Sequence, residues 1–193
     1  QYTLVLTLAS LLDTRDPLTS EHSRRVGIYS ELIGKALGVH KKRQSTLKLA
    51  GLLHDIGKIG IDRTLLYKPG KLSSDEMKEI KEHVMIGYKI IQETPQLEKV
   101  ANIVLYHHER IDGKGYPCNL VGKEIPLDSK ILSVADSFDA MVSSRLYRPT
   151  ISPHEALEEL KRCSGTQFDS KVVEVFGNYL KKRDFRLPKK LYF

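Results

Sequence analysis

The chain has 193 residues, 40% of them hydrophobic and 28% charged, proportions that fit one folded domain with a proper core and exclude a disordered or fibrous chain. Two cysteines, Cys118 and Cys163, with no Cys-x-x-Cys pair exclude a disulfide framework and a zinc ribbon and suit a reducing cytoplasm, while the absence of tryptophan and only 7% aromatic residues argue against a stacking platform for single strands. The net charge of +7 points to an anionic partner, yet Lys181, Lys182, Arg183, Arg186, Lys189 and Lys190 against Asp184 place most of it in the segment 181–193, which reads as a solvated basic tail and not as a DNA-binding face.

In chain order the periodicity is helical almost throughout. Leu4, Leu8, Leu11 and Leu12 line a first, linker-like helix over 1–16. Its apolar stretch, Tyr2 to Leu12, is broken by Thr3, Thr7 and Ser10 and is too short to span a bilayer. With no initiator Met and no basic n-region it is not a signal peptide, and the chain reads as a piece of something longer. Val26, Ile33 and Leu37 line a second helix stopped by Gly38, and a third runs from about Lys42 to Ile56. Ser73 and Glu76 have capping-box spacing and start a fourth, expected to continue to about Gln92. Pro95 opens a fifth that ends near His108, and a Gly- and Pro-rich loop covers Glu109 to Pro126. A sixth carries Ile131, Val134, Ala135, Phe138 and Met141. Ser152-Pro153-His154-Glu155 caps a seventh, and an eighth from Asp169 buries Val172, Val173 and Phe176. The expectation is an all-α, single-domain helical bundle over 17–180.

Chemistry concentrates in a few polar residues on apolar faces. His54-Asp55 ends the apolar face of the third helix, His83 lies within the fourth, His107-His108 close the fifth, and Asp136 stands among apolar residues of the sixth. Taken singly, His54 reads as a core histidine, Asp136 as a cap or an arginine partner, and His107-His108 as cations suited to a helix C-terminus. Jointly they place imidazole or carboxylate at the core edge of successive helices, where a lone charge is costly and a bundle can converge ligands on one metal site. Mixed His and Asp donors suit Fe, Mn or Zn better than Mg or Ca. No His-Glu-x-x-His pattern is present, and Gly113-Lys114-Gly115 opens no helix, which excludes a dinucleotide fingerprint and a P-loop.

Two stretches are distinctive: His54-Asp55-Ile56-Gly57-Lys58-Ile59-Gly60, and His107-His108-Glu109-Arg110-Ile111-Asp112-Gly113-Lys114-Gly115-Tyr116-Pro117. With Lys68-Pro69-Gly70-Lys71-Leu72, Val134-Ala135-Asp136-Ser137-Phe138-Asp139-Ala140 and Gly165-Thr166-Gln167-Phe168-Asp169 they run, in order, from about Asp13 to Phe176. Together they resemble the HD-GYP family, the HD-domain branch of metal-dependent phosphohydrolases that degrades the bacterial messenger cyclic di-GMP.

The resemblance implies a centre of two divalent metal ions, Fe or Mn, held by His54, Asp55, His83, His107, His108 and Asp136, with Asp55 bridging. It implies hydrolysis of cyclic di-GMP to pGpG, with GMP as a further product left open, through a metal-bridging hydroxide. Lys58, one turn beyond His54, is assigned to a phosphate oxygen in the transition state. Arg145 and Arg148 occupy positions that reach phosphate or guanine, and Gly115 and Tyr116 belong to a loop that shapes the substrate mouth or docks a partner such as a GGDEF-type protein, with glycines expected at positive φ. Where some relatives carry a Glu that holds a third metal, four residues before His22, this chain has Leu18. Two metals are therefore expected, with His22 either supporting the ligands or structural at its helix N-terminus. Ile61-Asp62-Arg63 and Arg145-Leu146-Tyr147-Arg148 depart from the family's loops without removing a ligand, and His40 and His154 read as surface residues. Two rival readings stand beside the enzyme: a silent cyclic di-GMP-binding or protein-interaction module, and a hydrolase of another cyclic dinucleotide. An upstream sensory or receiver domain and a cytoplasmic location are expected. Pairing of the first helix with a second copy and packing on its own core are both open.

Overall fold

The structure is a computed structural model that describes residues 17–143 and 150–187. The expected first helix over 1–16 and the end of the tail lie outside the described residues, as do Arg145 and Arg148. The rest is an all-α bundle. Its long elements are α1 (Pro17–Ala36), α2 (Lys41–Leu53), the short α3 (Arg63–Leu66), α4 (Ser74–Lys81), α5 (His83–Gln92), α6 (Glu98–Leu105), α7 (Leu127–Val142), α8 (Pro153–Arg162) and α9 (Ser170–Lys182). Among the described residues no strand forms, only isolated bridges between Asp112 and Val121 and between Ser164 and Phe168. No described helix is long and apolar enough to cross a membrane.

The apolar stripes read in the sequence meet in one core. Val26 and Ile33 of α1, Leu47 and Leu53 of α2, Ile91 of α5, Val104 of α6, Ile131 and Phe138 of α7, and Phe176 of α9 are all fully buried within it. Two rings from α7 and α9, Phe138 and Phe176, meet edge to face at 4.9 Å. Both capping boxes form: Ser73 with Glu76 starts α4, and Ser152 with Glu155 starts α8.

Three expected helices end or break earlier than their periodicity suggests, and each does so at a histidine. The third stops at Leu53, and Ile56–Gly60 winds on as a 3-10 turn. The fourth is interrupted at Glu82, whose amide turns back to the carbonyls of Glu79 and Ile80, so that α4 and α5 are separate helices. The fifth is a 3-10 turn over Pro95–Leu97 and then α6, which ends before His107. The four-residue α3 has no counterpart in the expectation. Its signal was the Asp62-Arg63-Thr64 cap, in which the Asp62 carboxylate accepts from the Thr64 amide at 2.7 Å.

Gly57 decides how closely the 3-10 turn approaches α5. A Cβ there would collide with the carbonyl oxygen of His83, and would lie 2.5 Å from the amide nitrogen of Gly87. Backbone has no rotamer with which to give way, so only glycine lets His54-Asp55 and His83 share one site. Gly57→Ala is therefore expected to lower stability by about 1–3 kcal/mol, the usual cost of overpacking, and to lower the bound metal per chain. A melting curve and a metal analysis of the same sample check both, and an unchanged melting temperature would contradict the packing argument.

Candidate metal centre

A helix ends with carbonyl oxygens that have no intrahelical partner. Near three helix ends in this bundle such a carbonyl takes an imidazole three residues on. His54 Nδ1 lies 2.8 Å from the Gly51 carbonyl, His83 Nδ1 2.7 Å from that of Ile80, and His107 Nδ1 2.6 Å from that of Val104. A carbonyl only accepts, so each Nδ1 carries the proton and each Nε2 presents its lone pair. All three rings are buried. His83 Nε2 and His107 Nε2 have no hydrogen-bond partner.

Two groups of ligand atoms result, within each of which the atoms lie inside 4.8 Å of one another: His83, His107 and His108, and His22, His54 and Asp136. Asp55 stands between them. Its Oδ2 is 3.3 Å from His54 Nε2, and its Oδ1 is 3.8 Å from His83 Nε2. Lys58 reaches the same carboxylate, Nζ to Oδ2 at 2.6 Å. The six expected ligands, His54, Asp55, His83, His107, His108 and Asp136, are thus brought to one place, with Lys58 at its edge. Orphaned, buried imidazole lone pairs beside carboxylates are what a divalent cation satisfies, so the donor set fits metal ions.

The electrostatics agree. Burial pushes the His83, His107 and His108 protons off, His108 to about 4, so these rings are neutral at pH 7 and free to donate their lone pairs. Burial alone would raise the Asp55 and Asp136 carboxyls. The surrounding imidazoles, with Lys58 at Asp55 and the His22 hydrogen bond at Asp136, override it and hold both ionised.

His22 is more closely involved than the sequence suggested. It lies inside α1, not at its start, with Nε2 3.1 Å from Asp136 Oδ1 and Nδ1 2.7 Å from Asp139 Oδ2. Asp139 is fully buried and is itself gripped by Arg25, at 2.7 Å from Nε and 3.2 Å from Nη2. This chain of Arg25, Asp139 and His22 was not read in the sequence. The i, i+3 pairing of Asp136 with Asp139 on one helix face was its only trace. Glu21, beside His22, points to solvent and faces Arg25 at 3.3 Å. The Leu18 side chain lies outside the described residues.

The loop after His108 is fastened from behind. Buried Glu109 accepts the amides of Cys118 at 2.6 Å and Leu120 at 3.0 Å. Gly113 has positive φ as expected, but Gly115 does not. Its lack of a Cβ serves close approach instead, because a Cβ there would strike the backbone of Glu109 and Arg110. So held, Tyr116 stacks on His108 with centroids 4.9 Å apart and planes at 28°, and Lys81 Nζ sits 5.0 Å from the Tyr116 ring centroid. Burial pushes the Tyr116 hydroxyl proton's pKa up, and Asp55 and Asp136 add to it. Beside the two groups opens a cavity of about 290 Å³, bordered by Lys81, His108, Tyr116, Asp136 and Gln167 among others. His40 and His154 are exposed, His40 capping α2 through the Lys42 amide at 3.3 Å.

Comparisons with known proteins show which family and fold the chain shares. The HD domain family matches residues 7–172. A cyclic di-GMP phosphodiesterase of Thermotoga maritima is 43% identical over 88% of this chain and 46% of its own length. A 3'3'-cGAMP-specific phosphodiesterase of Vibrio cholerae is 34% identical over 89% of this chain and 33% of its own. The chain therefore spans about half or less of the relatives it matches. In fold it is similar to the crystal structure of another cyclic GMP-AMP-specific phosphodiesterase of V. cholerae, at a TM-score of 0.74 and 24% identity, over 94% of this chain and 49% of that one.

Two outcomes follow from the site. Glu109→Ala leaves two backbone amides without an acceptor and is expected to cost about 1–3 kcal/mol in urea unfolding. The second concerns His22, where burial would lower the pKa but the hydrogen bonds to Asp136 and Asp139 raise it to about 9. A raised imidazole stabilises fully below its unfolded value of 6.5 and loses that contribution as pH climbs to about 9. In metal-free protein the melting-temperature gap between the parent and His22→Gln should therefore shrink across that window. A constant gap would contradict the contacts.

Proposed function

The chain belongs to the HD domain family, its two signature stretches place it in the HD-GYP branch, and from that premise we propose that it is a metal-dependent phosphodiesterase that opens cyclic di-GMP to pGpG. The observation that carries the reading is the pair of ligand groups with Asp55 between them, backed by the partnerless Nε2 atoms of His83 and His107. We assign His83, His107 and His108 to one metal ion, His54 and Asp136 to a second with His22 beside it, and Asp55 to both. Fe or Mn suits these mixed imidazole and carboxylate donors. Divalent ions held there would supply Lewis acidity at a phosphoryl oxygen and a nucleophile at neutral pH.

The chain's own residues do the rest. Asp55 stays ionised under Lys58 and the imidazoles, so it is available as a ligand without competition from protons. Lys58, half-buried and within 2.6 Å of Asp55, is placed to neutralise a non-bridging phosphate oxygen as charge grows in the transition state. Tyr116 and the backbone at Gly115 wall the cavity in which a nucleotide would sit. Arg145 and Arg148, outside the described residues, are proposed to reach the remaining phosphate or a base. A cytoplasmic location, an upstream sensory or receiver domain, a GGDEF-type partner at the Gly-Tyr-Pro loop and a homodimer through the segment 1–16 belong to the same proposal.

A second reading, hydrolysis of the mixed guanine–adenine dinucleotide, is favoured by the V. cholerae relative named for 3'3'-cGAMP. The test is to purify the protein without oxygen, load it with Fe(II) or Mn(II), and follow products from both dinucleotides by chromatography. The parent is expected to release pGpG from cyclic di-GMP, and Asp55→Ala to lose turnover and metal together. Metal-loaded parent that binds cyclic di-GMP and releases nothing would replace the enzyme with a sensor. Faster turnover of cGAMP would move the substrate and keep the chemistry.

A further inference from the structure

The cavity beside the metal centre has a wall that the ligands and Lys58 do not account for. Gln167, just before α9, is half-buried there with Arg110 and Ser137, and the same cavity is bordered by Tyr116, His108 and Asp136. At about 290 Å³ it sits at the small end of ligand pockets, which run from about 300 to 1,000 Å³. That is room enough for one nucleotide unit.

We propose that Gln167 reads the purine edge of the nucleotide held in this cavity and selects guanine over adenine. The proposal rests on the phosphodiesterase reading and adds to it a specificity-determining residue.

The direction of the amide is settled by its neighbour. Arg110 Nη1 lies 2.9 Å from Gln167 Oε1, and a guanidinium only donates, so the oxygen end faces Arg110. Arg110 is in turn fixed by Asp112, with Nε 3.0 Å from Oδ1 and Nη2 2.8 Å from Oδ2. Among the described residues nothing accepts from the Gln167 amide hydrogens, so they remain as donors in the cavity wall. The backbone is clamped as well. The Gln167 amide bonds the Cys163 carbonyl at 3.0 Å, and the Asp112 amide bonds the Thr166 carbonyl at 2.8 Å. A side chain held at its oxygen, on a backbone that is itself clamped, loses less freedom on binding than a free one.

A fixed donor discriminates between purines. Guanine offers acceptors at O6 and N7, whereas adenine offers N7 beside an N6 amino group that itself donates. Aimed at the 6-position, the donor meets the O6 acceptor of guanine but the N6 donor of adenine, whereas N7 accepts in both and does not discriminate. Sites built on a hydrogen bond reject the mismatched analogue strongly, because a buried polar group is left unpaired.

Gln167→Glu keeps the side-chain length and the acceptor for Arg110 but turns a donor in the cavity into an acceptor. Gln167→Met removes both polar groups. The probes are GMP and AMP, titrated calorimetrically into Mn(II)-loaded protein, with kcat/KM on cyclic di-GMP and cyclic di-AMP measured alongside. The parent is expected to prefer GMP. In Gln167→Glu the GMP-to-AMP affinity ratio should fall by about tenfold or more, in line with one base-edge contact, and in Gln167→Met by less. Metal content and melting temperature report on folding. A purely structural role would weaken GMP and AMP alike, leave the ratio unchanged and overturn the proposal, as would a parent that binds both equally. The two readings fail separately. A parent that prefers GMP yet cleaves no cyclic dinucleotide refutes the phosphodiesterase reading alone, and one that cleaves cyclic di-GMP while both variants keep its ratio refutes this one alone.

Discussion

The site depends on one repeated contact: an imidazole donating from Nδ1 to a main-chain carbonyl three residues back, near the end of a helix. Gly51, Ile80 and Val104 supply those carbonyls, and His54, His83 and His107 the rings. The contact satisfies an acceptor that the helix would otherwise leave open. It also fixes the tautomer and points the second nitrogen inward. Because the anchoring group is backbone, the ring can rotate little without giving up a buried hydrogen bond. Three rings prepared in this way arrive at the centre with their geometry already set, so ligand orientation costs little when a cation binds.

Around this frame the charges are ordered by depth. The carboxylates of Asp55 and Asp136 stay ionised because imidazoles and Lys58 surround them, and the His83, His107 and His108 rings stay neutral because they are buried. Asp139 and Arg25 sit one layer further out and hold His22 from behind. Each layer constrains the next. An unpaired charge at this depth would be costly, and the pairing spreads the burden over α1, the Asp55–Gly60 stretch and α7.

The loop carrying Tyr116 shows the same economy with backbone groups. Glu109 immediately follows two of the proposed ligands and turns away from them to hold the amides of Cys118 and Leu120. One short stretch, His107 to Glu109, therefore serves the metal centre with its first two residues and the cavity wall with its third. Arg110 continues the pattern by holding Asp112 and Gln167 together. Loss of Glu109 or Arg110 would be felt both at the candidate ligands beside them and at the cavity wall.

Periodicity and capping residues by themselves determined the all-α class, the stripes that form the core, and both capping boxes, because these depend on neighbours along one helix. The candidate ligands were legible for a similar reason: His54, Asp55 and Asp136 stand out as polar groups on apolar faces. Tertiary structure alone decided where the helices stop. The expected fourth helix breaks at Glu82, where the His83 ring takes the carbonyl of Ile80 three residues back and Gly57, from a distant segment, packs on the backbone of His83 and Gly87. It likewise decided the partners of Asp139, the backbone amides that Glu109 holds and the pairing of Gln167 with Arg110. Spacing along a chain says which residues share a helix face. It does not say which distant donor meets which acceptor, and at a buried site that pairing sets charge, tautomer and direction.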